Sequence, residues 1–133
     1  QPSGEGAVRC MKQATKDLSE KVDYINTHGT STPIGDIKEI EAMKTMYKTD
    51  MPFFSSTKSL TGHSLGGTGV QEAIYSILMM KNDFICKSAN IDNLDSEVED
   101  VEEFEKPTDS IPEEKISVSI EQLRKKMSDK DES

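Results

Sequence analysis

Two histidines, a lysine and a run of hydroxyl side chains gather between Asn26 and Glu72, 47 of the 133 residues. His28 opens the stretch His28-Gly29-Thr30-Ser31-Thr32-Pro33, His63 lies in Gly62-His63-Ser64-Leu65-Gly66-Gly67, and Lys58 falls between them. Imidazoles near a lysine can donate hydrogen bonds to a developing oxyanion, or exchange protons near neutral pH. Glycines beside them let a substrate approach the backbone closely. One such histidine is as often a hydrogen-bonded loop residue as a reacting one, but two at matching strand ends favour chemistry.

Other chemistries fit less well. Two histidines without a placed third ligand fall short of the three or four protein ligands of a zinc site, so no metal is expected. Gly66-Gly67-Thr68-Gly69 precedes a helix, where backbone N–H groups can cradle phosphate, but the GxxxxGK[ST] spacing is missing and close helix packing explains the glycines better. Cys10 and Cys86 stand in no CxxC or Cys/His spacing and read as free thiols in a reducing compartment. Cys10 falls inside an amphipathic helix pattern, which suits a packed thiol rather than an activated nucleophile.

The elements that must position these residues can be read in order. Ala7, Met11, Ala14 and Leu18 recur at the spacing of one helical face, predicting a helix from Gly4 to Leu18. Val22 to Asn26 is β-branched and aromatic, a short strand that delivers the chain into His28. Asp36 followed by Glu39 resembles a capping box, and Ile37, Ile40, Met43 and Tyr47 continue as the buried stripe of the helix it starts. Phe53 to Lys58 reads as a second strand with Lys58 at its end. Val70 to Met80 is nearly continuous apolar sequence, interrupted by Gln71, Glu72, Tyr75 and Ser76, and predicts a helix buried on most sides. Phe84 to Ala89 reads as a third strand. This alternation implies an α/β fold with helices against a sheet, and ligands in such folds sit beyond the carboxyl ends of the strands.

Composition divides the chain. Residues 1–95 carry 12 acids and 10 bases, whereas residues 96–133 carry 13 acids and 6 bases, and no glycine follows Gly69. A domain over 1–95 and an acidic tail over 96–133 are therefore expected. Glu97 to Glu105 is dominated by acids, as in a solvated segment, while Ile116, Ile120, Leu123 and Met127 match a helix and Ile116, Val118 and Ile120 match a strand. The formal charge of -9 argues against a nucleic-acid partner, since phosphate-backbone binding relies on clustered bases. No stretch reaches the ~18 apolar residues of a membrane span and no signal pattern opens the chain, so a cytoplasmic location is expected.

Several motifs together closely resemble the β-ketoacyl-[acyl-carrier-protein] synthases, nearest the bacterial type I condensing enzymes. They are Ser3 to Met11, Tyr24 to Asp36 through His28-Gly29-Thr30-Ser31-Thr32-Pro33, Ser56-Thr57-Lys58, and Thr61 to Gly66. The resemblance runs from residue 2 to about 95. It implies part of the C-terminal half of a thiolase-like fold, with helices packed against a mixed sheet. It also implies decarboxylative condensation of a malonyl unit with an acyl thioester in fatty acid biosynthesis. By this similarity His28 and His63 are the active-site histidines, Lys58 the accompanying lysine and Glu72 its charge partner. Thr30 and Thr32 match positions that hydrogen-bond the phosphopantetheine arm. That arm arrives on an acyl carrier protein, so no resident cofactor is expected, and the full-length family implies a homodimer.

The physical chemistry agrees with those roles. Decarboxylation builds enolate charge on a thioester oxygen, and losing one fixed donor to such an oxygen costs roughly 3 kcal/mol. A lysine is a fixed positive charge near neutral pH, suited to orienting its neighbours. Two departures stand beside the resemblance. The family's nucleophilic cysteine lies in a segment absent here, with neither Cys10 nor Cys86 in its motif, and the family's Gly-Phe-Gly-Gly-Thr-Asn loop needs glycines that this chain lacks after Gly69. The chain is therefore expected to be inactive alone. The alternatives are a noncatalytic module that binds phosphopantetheine or the carrier protein, and a truncated product without selected function.

Overall fold

The computed structural model describes residues 3–93 and 95–97; the acidic tail beyond them, with its Ile116 to Met127 periodicity, lies outside the described residues. These form two compact units, one of 3–63 with 88–93 and 95–97, the other of 64–87.

In the first unit the order is α1 (Glu5–Thr15), β1 (Tyr24–Asn26), α2 (Gly35–Tyr47), β2 (Phe53–Ser55) and α3 (Lys58–Thr61). β1 and β2 pair in parallel with Tyr24 opposite Phe53, Ile25 opposite Phe54 and Asn26 opposite Ser55. Bonds from Phe53 N to the Asp23 carbonyl (3.0 Å) and from Thr27 N to the Ser55 carbonyl (2.9 Å) extend the pairing at either end. Parallel strands need a crossover, and α2 supplies it, giving a β-α-β unit. The predicted stripe of α2 does the packing. Met43, 1% exposed, and Phe54 form the centre, with Ile25, Ile37, Ile40 and Tyr47 around them. Burial in this cluster raises the Tyr47 phenol above its ordinary pKa. α1 lies against α2 and sends Met11 into the same cluster.

The helix-and-strand alternation is the expected α/β arrangement, with several local corrections. α1 ends at Thr15, whose hydroxyl bonds back to the Met11 carbonyl at 2.9 Å, so Leu18 falls outside the helix and is exposed. The capping box does not form. α2 begins at Gly35 with no side-chain cap, and the two carboxylates of the expected box, Asp36 and Glu39, bond to the preceding loop instead. β2 stops at Ser55, and Lys58 opens the one-turn α3 instead of closing a strand.

No third strand forms at Phe84 to Ala89, so the sheet of the described residues has two parallel strands and is not mixed. The backbone of that segment is engaged otherwise: Phe84 N donates to the Met79 carbonyl (3.2 Å), Cys86 N to Met79 Sδ (3.0 Å) and Ala89 N to Ser59 Oγ (3.0 Å). Donors held by a helix end and by side chains are not available to a ladder.

The second unit is a 3-10 turn (Leu65–Gly67) that runs into α4 (Thr68–Lys81). α4 is not buried on most sides. Within the chain its Val70, Ile74, Ile77 and Leu78 are all exposed, while Gln71, Glu72, Tyr75 and Ser76 are half-buried. Among the described residues of its unit, the preceding turn packs on α4, and it is too small to cover an apolar face. No helix among the described residues is long and apolar enough to cross a membrane.

Candidate functional site

The loop between β1 and α2 has a backbone-accounting problem. Residues 28–32 present five successive N–H groups that neither a helix nor the sheet takes up, and such donors need acceptors. Two carboxylates of α2 answer it. Glu39 accepts from His28 N through Oε1 at 2.8 Å and from Gly29 N through Oε2 at 2.9 Å. Asp36 accepts from Thr30 N (3.2 Å) and Thr32 N (3.3 Å) through Oδ1, and from Ser31 N (2.9 Å) through Oδ2. Three residues apart on a helix, the two side chains share a face, so one helical turn holds the whole loop. Gly29 (φ +28) and Ser31 (φ +60) adopt positive φ, which turns successive N–H groups toward a common concavity. Here the concavity is filled by the protein's own carboxylates.

This clamp sets the histidine. His28 leaves the loop beside His63, with ring centroids 5.2 Å apart and planes at 83°, an edge-to-face pair. Both residues are exposed. His63 follows α3, which closes on Gly62 (φ +73) through a bond from Gly62 N to the Lys58 carbonyl at 2.8 Å. Lys58 is only 8% exposed, so its charge is fixed at the edge of the site rather than swinging in solvent.

A cavity of about 500 Å³ opens beside this arrangement, lined by His63, Lys58, Thr30, Ser31, Met43 and Phe54, with residues 88–91 as a further wall. Met43 and Phe54 give it an apolar side, and its polar lining carries hydroxyls, a cation, an imidazole and the two carboxylates, Asp36 and Glu39, that clamp the loop. Such a site can hold an extended, neutral, amide-bearing chain and meet negative charge developing at its reactive end.

The first unit thus gathers His28, His63, Lys58 and Thr30. Thr32 is exposed beside the start of α2, where its Oγ1 occupies the space a Cβ at Gly35 would need, and it does not line the cavity. Glu72 lies half-buried on α4 in the second unit. Sequence reasoning missed Asp36 and Glu39 as the residues that shape the loop. Their spacing was visible but fitted a capping box equally well.

The imidazole pair, the buried lysine and the α/β crossover define a class, and the comparisons agree: the chain belongs to the β-ketoacyl synthase family, residues 1–92 matching its C-terminal domain. Among its relatives, 3-oxoacyl-[acyl-carrier-protein] synthase 1 of Haemophilus influenzae is 58% identical over 98 residues, 74% of this chain and 24% of the relative. The enzyme of the same name from Escherichia coli K12 is 55% identical over 96 residues, 72% of this chain and 24% of the relative. 3-Oxoacyl-[acyl-carrier-protein] synthase 2 of Staphylococcus aureus is 46% identical over 86 residues, 61% and 21% respectively. The chain spans about a quarter of the length of the curated relatives it matches.

Proposed function

We propose that this chain is the histidine-and-lysine portion of a β-ketoacyl-[acyl-carrier-protein] synthase, which condenses malonyl-carrier-protein with an acyl thioester in fatty acid biosynthesis. The observation that carries the reading is the imidazole pair: His28 and His63 face one another at 5.2 Å beside a cavity rimmed by Thr30 and Lys58. In this reading the two imidazoles donate to the thioester oxygen as carbon dioxide leaves and enolate charge builds. Lys58 orients them, and Thr30 and Thr32 hydrogen-bond the phosphopantetheine arm. The arm is substrate-borne, so the protein needs no cofactor of its own. An acyl carrier protein is the partner, and the whole enzyme is a cytoplasmic homodimer of thiolase-like architecture in which further strands widen the sheet. The acyl-accepting cysteine comes from outside this chain.

A binding-only role is the second reading, favoured by the placement of Thr30 on the cavity. Titrating the chain with malonyl-pantetheine should perturb the resonances of both histidines, and Thr30→Ala should weaken that binding several-fold. Affinity unchanged by Thr30→Ala would remove the basis of both readings. Incubation with acyl- and malonyl-carrier-protein should yield no condensation product from the chain alone, and robust turnover would overturn the need for an external cysteine.

A further inference from the structure

Ser56 sits where the two histidine-bearing segments meet. Its Oγ donates to the Gly29 carbonyl at 2.8 Å and accepts from Lys58 N at 3.3 Å, while its backbone N donates to Ser88 Oγ at 3.0 Å. The first contact grips the loop one residue after His28. The second grips the opening of α3, whose single turn leads through Gly62 to His63. A hydroxyl is suited to this position because it donates one hydrogen bond and accepts another at the same atom. The fit against the loop is close: a Cβ at Gly29 would lie 2.7 Å from Ser56 Cβ and 3.0 Å from its Oγ, so the loop reaches Ser56 only as glycine. Both imidazoles are exposed, so packing alone does not fix their rings at 5.2 Å and 83°. The backbone at the roots of the two segments therefore contributes to their placement.

We infer that Ser56 is a positioning residue for the histidine pair, its hydroxyl bridging the Gly29 carbonyl and the Lys58 amide so that the His28 ring meets the His63 ring. The inference rests on the reading of that pair as a working unit, but its test uses no thioester, so the two can fail separately. The chain contains two histidines, so selective labelling gives two assignable ring signals. The intact chain should show a cross-relaxation contact between them. Ser56→Ala should abolish it and speed exchange of the His28 and Gly29 amides by about tenfold, the equivalent of one net hydrogen bond. Protection of the amides in Tyr24–Asn26 and Phe53–Ser55 should remain.

Ser88→Ala, which removes the bond to the 88–91 wall and leaves the bridge, should keep the ring contact. Retention of the contact in Ser56→Ala, or its loss in Ser88→Ala with the sheet intact, would overturn the inference. Global unfolding of Ser56→Ala would overturn it equally, since it would make Ser56 a structural support rather than a positioning residue. Failure of malonyl-pantetheine to bind, with the ring contact behaving as stated, would count against the functional reading alone.

Discussion

Glu39 has no direct part in the chemistry proposed for the site, yet the His28 backbone hangs from it. A carboxylate accepting two backbone N–H groups makes charge-assisted bonds, worth about 1.5–3 kcal/mol each to charged partners when well buried. Glu39 is half-buried, so the lower end applies. Glu39→Gln keeps one acceptor and turns an amide donor toward an N–H. It should destabilise the chain by about 1–2 kcal/mol in urea unfolding and accelerate exchange at His28 and Gly29 more than in the strands. Equal protection in the two proteins would mean that the loop is held by other contacts. At this scale the sequence was informative about residue types and less so about partners. His28, Lys58 and His63 were legible because few roles need imidazoles, a lysine and glycines so close together. Asp36 and Glu39 were misread because an Asp-x-x-Glu spacing serves both a helix cap and a loop clamp, and the distinction depends on where the loop folds.

Helix α2 was legible from its stripe because Ile37, Ile40 and Met43 bury one face against Phe54, so periodicity and packing agree. The strands were overestimated for a related reason. β-Branched and aromatic composition signals a pleated, half-buried surface, but the extent of pairing depends on neighbours, and among the described residues each strand has one partner and spans three residues. The end of α2 carries a testable flaw. Lys48 closes the helix through a bond to the Lys44 carbonyl at 2.9 Å while holding φ 54 and ψ -114, a conformation that suits glycine rather than a residue with a Cβ. Lys48 is exposed, so its side chain contributes little packing. Lys48→Gly should therefore stabilise the chain by about 0.5–1 kcal/mol, read as a higher urea midpoint at unchanged slope. A lower midpoint would show that relief of this strain is outweighed by glycine's greater freedom in the unfolded chain.

Among the described residues, α4 presents an exposed apolar face. Val70 is 66% exposed and Ile74, Ile77 and Leu78 lie between 46% and 50%, all on α4. The run was legible as apolar sequence, but apolar composition states that a face needs covering and not which residues cover it. Contiguous exposed apolar surface favours association. The opposing force is net charge: the chain carries -9, most of it from residues 96–133. Like-charge repulsion is screened over about 10 Å at 0.1 M salt, whereas apolar contact is not weakened by such screening. The chain should therefore self-associate with rising concentration, and more strongly as salt rises, in sedimentation equilibrium. Ile74→Asp combined with Ile77→Asp should suppress association while changing stability by no more than about 0.5 kcal/mol per site, because both positions are exposed. An unchanged average mass across concentration and salt would show that α4 is not an association surface. Association that survives the double substitution would place the contact elsewhere on the chain, and association that weakens with salt would make it electrostatic rather than apolar.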